Sequence, residues 1–302
     1  MKTKIRVFLA VLITALVIGI TLNYISSHNL AVLNPKGVIA FEERKLLFIT
    51  LLLSTLVVVP VFCLTIFISW KYREGNKKAK YSPHWDHDPK LEFAWWAIPI
   101  VIISILAVVT WQYTHSLDPF KPLQSNKQPL HVQVIALQWR WLFIYPDYRV
   151  AAVNTMPIPI HRPINMHITS DAPMNSIWIP QLAGQIYAMS GMSTKLHLDA
   201  RHTGTYKGVS ANISGEGFAG MTFTVPATND KEFNAWIKNA KKSNNVLTYD
   251  KYNELAKPST NRQVILYSDV DNDLYDKVIM KYMKPSNDSN KNMSGMEMHH
   301  AR

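Results

Sequence analysis

Cysteine is almost absent from this chain: of its 302 residues only Cys63 carries a thiol, and it lies inside an apolar run. No intrachain disulfide can form, so cysteine usage says nothing about the redox compartment. No pair of thiolates is available to act as soft metal ligands. Acidic residues are also short, with 21 Asp and Glu against 32 Lys and Arg and a net charge of +11. That excess is not built for nucleic acid. Lys2, Lys4 and Arg6, then Lys71, Arg73, Lys77, Lys78, Lys80 and Lys90, bracket apolar runs. The remainder is scattered, and no basic stripe interleaved with aromatics is present. Charge itself is missing from residues 46–70 and 93–114.

Each of those two runs is long enough to cross a bilayer core of roughly 30 Å as a helix. Pro60 and Pro99 lie inside them, which membrane helices tolerate when local adjustments satisfy the freed carbonyls. Trp70, Tyr72, Trp95, Trp96, Trp111 and Tyr113 cluster near the ends, as an interfacial belt does. The intervening residues 71–92 are rich in Lys and Arg, so the positive-inside rule places them in the cytoplasm and everything after about Leu117 outside. A third apolar run, residues 7–20, follows Lys2, Lys4 and Arg6 and fits either a signal peptide or an uncleaved helix. Both outcomes leave the same topology.

From about Leu130 the period changes to two. His131-Val132-Gln133-Val134-Ile135-Ala136-Leu137 alternates and leads into Gln138-Trp139-Arg140-Trp141-Leu142-Phe143-Ile144-Tyr145-Pro146. Strand-like runs follow at 164–169, 176–179, 195–198, 204–211 and 220–225, punctuated by Pro, Gly and Asn, which argues for an antiparallel sandwich or barrel. A helix is expected from Asn229, with Phe233, Trp236, Ile237 and Ala240 on one face and Asp230 as its cap. Two short helices are expected at 249–256 and 274–283. The expected organisation is therefore 1–28 signal or first helix, 29–118 transmembrane hairpin, 125–228 exported β domain, 229–284 helical appendage, and 285–302 a disordered tail. That tail holds Met and His side chains suited to Cu(I), although a solvated tail explains them as well.

Ser210-Ala211-Asn212-Ile213-Ser214-Gly215-Glu216-Gly217-Phe218-Ala219-Gly220-Met221 resembles, in spacing, the ligand loop of the dinuclear copper centre in subunit II of cytochrome c oxidases. The resemblance puts Ser210 and Ser214 at the two cysteine positions, Phe218 at the loop histidine, Met221 at the methionine, and Asn175 at the upstream histidine. A serine hydroxyl is hard and stays protonated, and Phe has no lone pair, so only Met221 can still act as a ligand. With Asn34-Pro35-Lys36-Gly37, Trp70-Lys71-Tyr72-Arg73, Lys80-Tyr81-Ser82-Pro83, residues 130–146, Met174-Asn175-Ser176 and Gln185-Ile186-Tyr187-Ala188-Met189-Ser190-Gly191-Met192, nearly the whole chain resembles subunit II of the cytochrome bo-type ubiquinol oxidases. These are the quinol branch of the haem–copper oxidases.

The resemblance implies a membrane-anchored α + β chain: a transmembrane helical hairpin, a cupredoxin-like β-sandwich or barrel without copper, and a C-terminal aromatic-rich helical appendage. It implies residence in the bacterial inner membrane with the β domain periplasmic. The complex would oxidise ubiquinol, reduce oxygen to water and translocate protons. Haems, copper and quinol are expected in a haem-bearing subunit I, with further small membrane subunits and lipid as the other partners. No catalytic, cofactor or metal residue is expected in this chain. Relatives with a lipobox cysteine before the Asn-Pro-Lys-Gly motif differ here, where His28 stands, so no lipid anchor is carried over. A menaquinol oxidase subunit and a copper-handling or assembly protein using the tail are the alternatives. Trp139 and Trp141 are expected as strand aromatics. Glu42 and Glu43 are expected either to face subunit I or to serve a helix N-terminus. His161, His167, His197 and His202 lack ligand spacing and are expected as surface or core histidines. Asn175 and Ser210 are expected to be hydrogen-bonded.

Overall fold

The computed structural model describes residues 16, 19, 20, 23, 30–76, 79, 82 and 84–283. The readings for the rest of residues 1–28, including His28, and for the tail 285–302 fall outside the described residues. The chain divides into two compact units, residues 42–121 and the remainder.

The first unit holds two long helices, most of α1 (Val38–Lys71) and all of α2 (Pro89–Ser116). At 34 and 28 residues they are roughly 50 and 42 Å long, more than a bilayer core requires. Both are apolar enough to span a membrane. Asp88 starts α2 by accepting from the Lys90 and Leu91 N–H groups, with Pro89 in the first helical position. The hydroxyls of Thr50, Thr55, Thr65 and Ser104 each donate to the carbonyl four residues back, so these four need no partner in lipid. Leu46 and Thr50 of α1 line one cavity with Leu106, Thr110 and Tyr113 of α2. The start of one helix thus lies beside the end of the other, as in an antiparallel hairpin.

The first turn of α1 belongs to the second unit. Lys36 and Gly37 donate backbone N–H groups to Gln181 O, and Val38 N–H donates to Asp199 Oδ1 at 2.8 Å. Gly37 is pressed against the carbonyls of Leu182 and Asp199 so closely that a Cβ would not fit. That contact gives the Asn-Pro-Lys-Gly motif a physical reason. It also corrects the reading of Glu42 and Glu43: the helix begins earlier, its first turn holds no acid, and the Asp199 carboxylate takes the N-terminal role. Glu42 instead pairs with Lys45 at 2.6 Å.

The β domain is a sandwich. Its strands are β1 (Leu130–Ala136), β2 (Trp141–Tyr145), β3 (Val150–Val153), β4 (Ile158–Pro159), β5 (Ile164–Ser170), β6 (Asn175–Ile179), β7 (Ala183–Ala188), β8 (Thr194–Leu198), β9 (Gly204–Ser210) and β10 (Thr222–Thr228). A C-terminal set follows: α3 (Asp230–Ala240), β11 (Val246–Leu247), α4 (Tyr249–Leu255), β12 (Ile265–Tyr267), β13 (Asp269–Val270) and α5 (Leu274–Met280). One sheet runs β12-β3-β2-β1-β5-β8 and the other β4-β10-β9-β6-β7. The expectation of a purely antiparallel arrangement is corrected, because β1 pairs with β5 in parallel, as do β4 with β10 and β11 with β13. Local periodicity shows a strand; the direction of its partner is set by distant chain.

The two-residue period sorts side chains by face. Trp141, Phe143 and Tyr145 of β2 enter the core between the sheets, while Leu142 and Ile144 enter a second core on the outer face. Val132 and Val134 of β1 likewise point inward, and Ile135 outward. Leu247, Tyr252, Leu255, Tyr267, Leu274 and Val278 cover that outer face, which is why all five β2 residues are buried. In α3, Phe233, Ile237 and Ala240 pack into the inner core. Its cap is Asn229, whose Oδ1 accepts from Glu232 N–H at 2.9 Å; Asp230 is the first helical residue and not the cap.

Candidate functional site

The residues singled out by the loop spacing meet at one end of the sandwich. Strand pairing sets this up: β6 lies beside β9, with Ile177 opposite Ser210, and β9 beside β10, with Val209 opposite Thr222. Asn175 opens β6, Ser210 closes β9, and residues 211–221 form the connection. Ser210 Oγ donates to Asn175 Oδ1 at 2.8 Å, and Asn175 Nδ2 donates to Pro173 O at 3.0 Å. Both side chains are buried. The loop is joined to the preceding turn a second time, by Asn212 Nδ2 donating to Met174 O at 2.7 Å.

Of the other loop residues, Met221 and Ser214 are buried and Phe218 is half-buried. Met221 is tied by its backbone, accepting from Ser210 N–H and donating to Phe218 O. Ser214 Oγ is buried with no protein partner, a feature that costs on the order of 1–3 kcal/mol. Ser214 O accepts from the Trp139 indole N–H at 3.2 Å. Gly217 lies flat on that indole, and a Cβ there would overlap the ring. Trp141 is the strand aromatic expected, with its ring 5.7 Å from Phe223 in the core. Trp139 is not: it stands between β1 and β2 at φ 71° and forms the floor of the loop.

The structure therefore joins Asn175 to Ser210 by side chains and brings Ser214, Phe218 and Met221 in by backbone. As a donor set this offers one thioether, one amide and hydroxyls. Soft bridging sulfur and imidazole are missing, so these residues do not fit a copper pair. Among the described residues no group of three or more His, Cys, Asp or Glu side chains could hold a metal ion. Cys63 is exposed on α1.

Two features escaped sequence reasoning. His167 and His197 lie with His131 on the outer face of the six-stranded sheet, around Asn165, which pairs with both His131 and His197. Burial pulls the His167 pKa down, helped by Lys195, His131 and His197. No spacing along the chain hints at this, because three strands contribute one histidine each. The other is Asp171, whose side chain is 1% exposed and accepts from Tyr252, Tyr282 and Lys281. His161 lines a separate cavity of about 310 Å³ with Val38, Asp199 and Arg201. The His202 carbonyl accepts from Tyr206 Oη.

Comparison with known proteins adds the following. Residues 241–286 match the family model described as the COX aromatic-rich motif. Subunit 2 of the cytochrome bo(3) ubiquinol oxidase of Pseudomonas putida is 46% identical over 258 residues, 85% of this chain and 82% of that protein. Ubiquinol oxidase subunit 2 of Acetobacter aceti is 44% identical, covering 84% of this chain and 83% of its own. Quinol oxidase subunit 2 of Bacillus subtilis (strain 168) is 39% identical, covering 76% and 72%.

Proposed function

Because the chain belongs to the family of subunit 2 of the cytochrome bo(3) ubiquinol oxidases, we infer that it is the second subunit of a respiratory oxidase that takes electrons from ubiquinol. The complex reduces oxygen to water and translocates protons. This subunit is an oxidoreductase component by membership and contributes no redox centre of its own. The observation that carries the reading is the identity to bo(3) subunits over most of both chains.

Asn175, Ser210, Ser214 and Phe218 stand, in this reading, where copper ligands stand in the cytochrome c-using branch, and Met221 is the one ligand retained. An oxygen ligand set without thiolate gives a soluble one-electron donor no acceptor here, so electrons enter elsewhere. Haems, copper and the quinol site belong to a larger subunit I against which the two apolar helices pack. The Lys- and Arg-rich connection between the helices faces the cytoplasm, which puts the sandwich in the periplasm and the chain in the inner membrane. The division is a hairpin anchor at 29–118, a β domain at 125–228 and an appendage at 229–284.

Oxygen uptake by the complex purified through a tag on this chain tests the reading. Cyanide-sensitive uptake is expected with ubiquinol and none with reduced cytochrome c. Uptake from cytochrome c would overturn the electron route, and a tagged chain that brings down no haem would overturn the function.

A further inference from the structure

The segment matching the aromatic-rich motif has no part in the electron route proposed above, yet it is built into the molecule at considerable cost. It covers the outer face of β1, β2 and β3 with a second apolar core. An apolar cover alone would need no buried charge. Two charged groups are nonetheless buried where this segment meets the sandwich, and both sit at the loop end.

The first is Asp171, the residue after β5. Its backbone N–H donates to Ala136 O, closing the end of β1. Its carboxylate accepts from Tyr252 Oη of α4 at 2.7 Å, and from Lys281 Nζ at 2.8 Å and Tyr282 Oη at 2.5 Å just after α5. Burial pushes both phenols up, and the Asp171 charge and hydrogen bonds add to it, so both remain donors. Asp171 opens the turn that ends at Asn175; within it Ala172 O accepts from Ser170 and Ser190, and Pro173 O from Asn175.

The second is Arg140, adjacent to Trp139. Its Nη2 donates to Leu255 O and Lys257 O, the carbonyls at the C-terminal end of α4, where a cation is favoured. Ser259 N–H donates to Gln138 O at 3.2 Å on the other side of Trp139. The Arg262 guanidinium lies against Gly220. By contrast, the ion pair between Arg149 and Asp269, away from the loop, is half exposed on both sides and is worth little.

We propose that the segment is a brace: it fixes the 171–174 turn through Asp171, and the floor and rim of the 211–221 loop through Arg140 and Arg262. Asn175 and Ser210 thereby keep their pairing without a metal ion to cross-link them. The inference needs only these contacts and stands apart from the electron route.

Hydrogen exchange on the purified oxidase tests it. Tyr252→Phe with Tyr282→Phe keeps both rings and removes two donors to Asp171. Roughly tenfold faster exchange is expected at 170–176 and 210–221, with β1 to β3 at the native rate, since local opening samples contacts unevenly. Arg262→Ala, at an exposed position, is expected to speed exchange at 217–221 alone, and it carries the test if the double variant does not assemble. Faster exchange in α4 and α5 with 210–221 unchanged would overturn the brace, as would an even rise across both sheets. Quinol-driven oxygen uptake of the unsubstituted complex, measured on the same preparation, reports on the electron route and not on the brace.

Discussion

Asp171 and Asn175 stand on the same turn, both buried, and are satisfied in opposite ways. Asn175 sits in a neutral arrangement, one hydroxyl donor from Ser210 and one carbonyl acceptor at Pro173. Asp171 gathers three donors, one of them cationic, from chain more than eighty residues away. A neutral hydrogen bond returns about 0.5–1.5 kcal/mol, whereas charge-assisted bonds are roughly twice as strong. Two residues of one turn therefore differ in what their removal should cost, Asp171 more than Asn175.

The largest expected effect comes from placing soft ligands at this end of the sandwich. Asn175→His, Ser210→Cys, Ser214→Cys and Phe218→His together supply two thiolates and two imidazoles beside Met221. The chain carrying all four is expected to take up a copper pair, read by metal analysis and by the thiolate-to-copper absorption that soft ligands give. Copper-free protein after reconstitution would mean that this end of the sandwich no longer holds the four positions in a ligating arrangement.

A smaller effect separates the two residues directly. Asp171→Ala strands Tyr252 Oη, which is fully buried, and removes the partner of Lys281; the loss is expected on the order of 3 kcal/mol. Ser210→Ala leaves the buried Asn175 Oδ1 without its donor but strands no charge, and is expected to cost less, about 1–2 kcal/mol. Urea unfolding of the detergent-purified chain, followed by tryptophan fluorescence, measures both. Equal losses would erase the contrast.

Part of this end was legible in the sequence, because the resemblance in loop spacing named Asn175 and Ser210, which the structure joins by a hydrogen bond. The strands at 130–146 were legible too, since alternation needs only local information. What stayed hidden has one cause: partners far apart in the chain. Nothing near Ile135 or Leu142 says that a second apolar layer covers them, so the burial of all five β2 residues has no local signal. The two- and three-residue strands β4, β11, β12 and β13 carry too few residues to show a period, and the sequences of β3 (Val-Ala-Ala-Val) and β7 (Ala-Gly-Gln-Ile-Tyr-Ala) do not alternate. Trp139 looked like part of a strand because its neighbours alternate, and only its left-handed backbone, held under Ser214 and Gly217, takes it out of register. Asp171 carries no local signal at all, as its three donors, Tyr252, Lys281 and Tyr282, lie 81 to 111 residues further along the chain.

The smallest effect concerns the half of the outer sheet face that the C-terminal segment leaves polar. His167 faces Lys195, His131 and His197, with Gln133 and Asn165 between them, and Asp147 lies 3.2 Å from His131 Nδ1. Its folded pKa lies below the ordinary value of about 6.5. The native chain therefore binds fewer protons at His167 than the unfolded chain does, once pH falls to that value. Stability contributed by keeping the ring neutral is complete above pH ~6.5 and is lost as pH falls toward the lowered folded value. The urea midpoint is expected to drop between pH 7.5 and 5.5, and His167→Gln, which keeps a polar group but cannot titrate, should flatten part of that drop. An identical slope in the variant would mean that the histidine face is open enough to water for its charges to be screened.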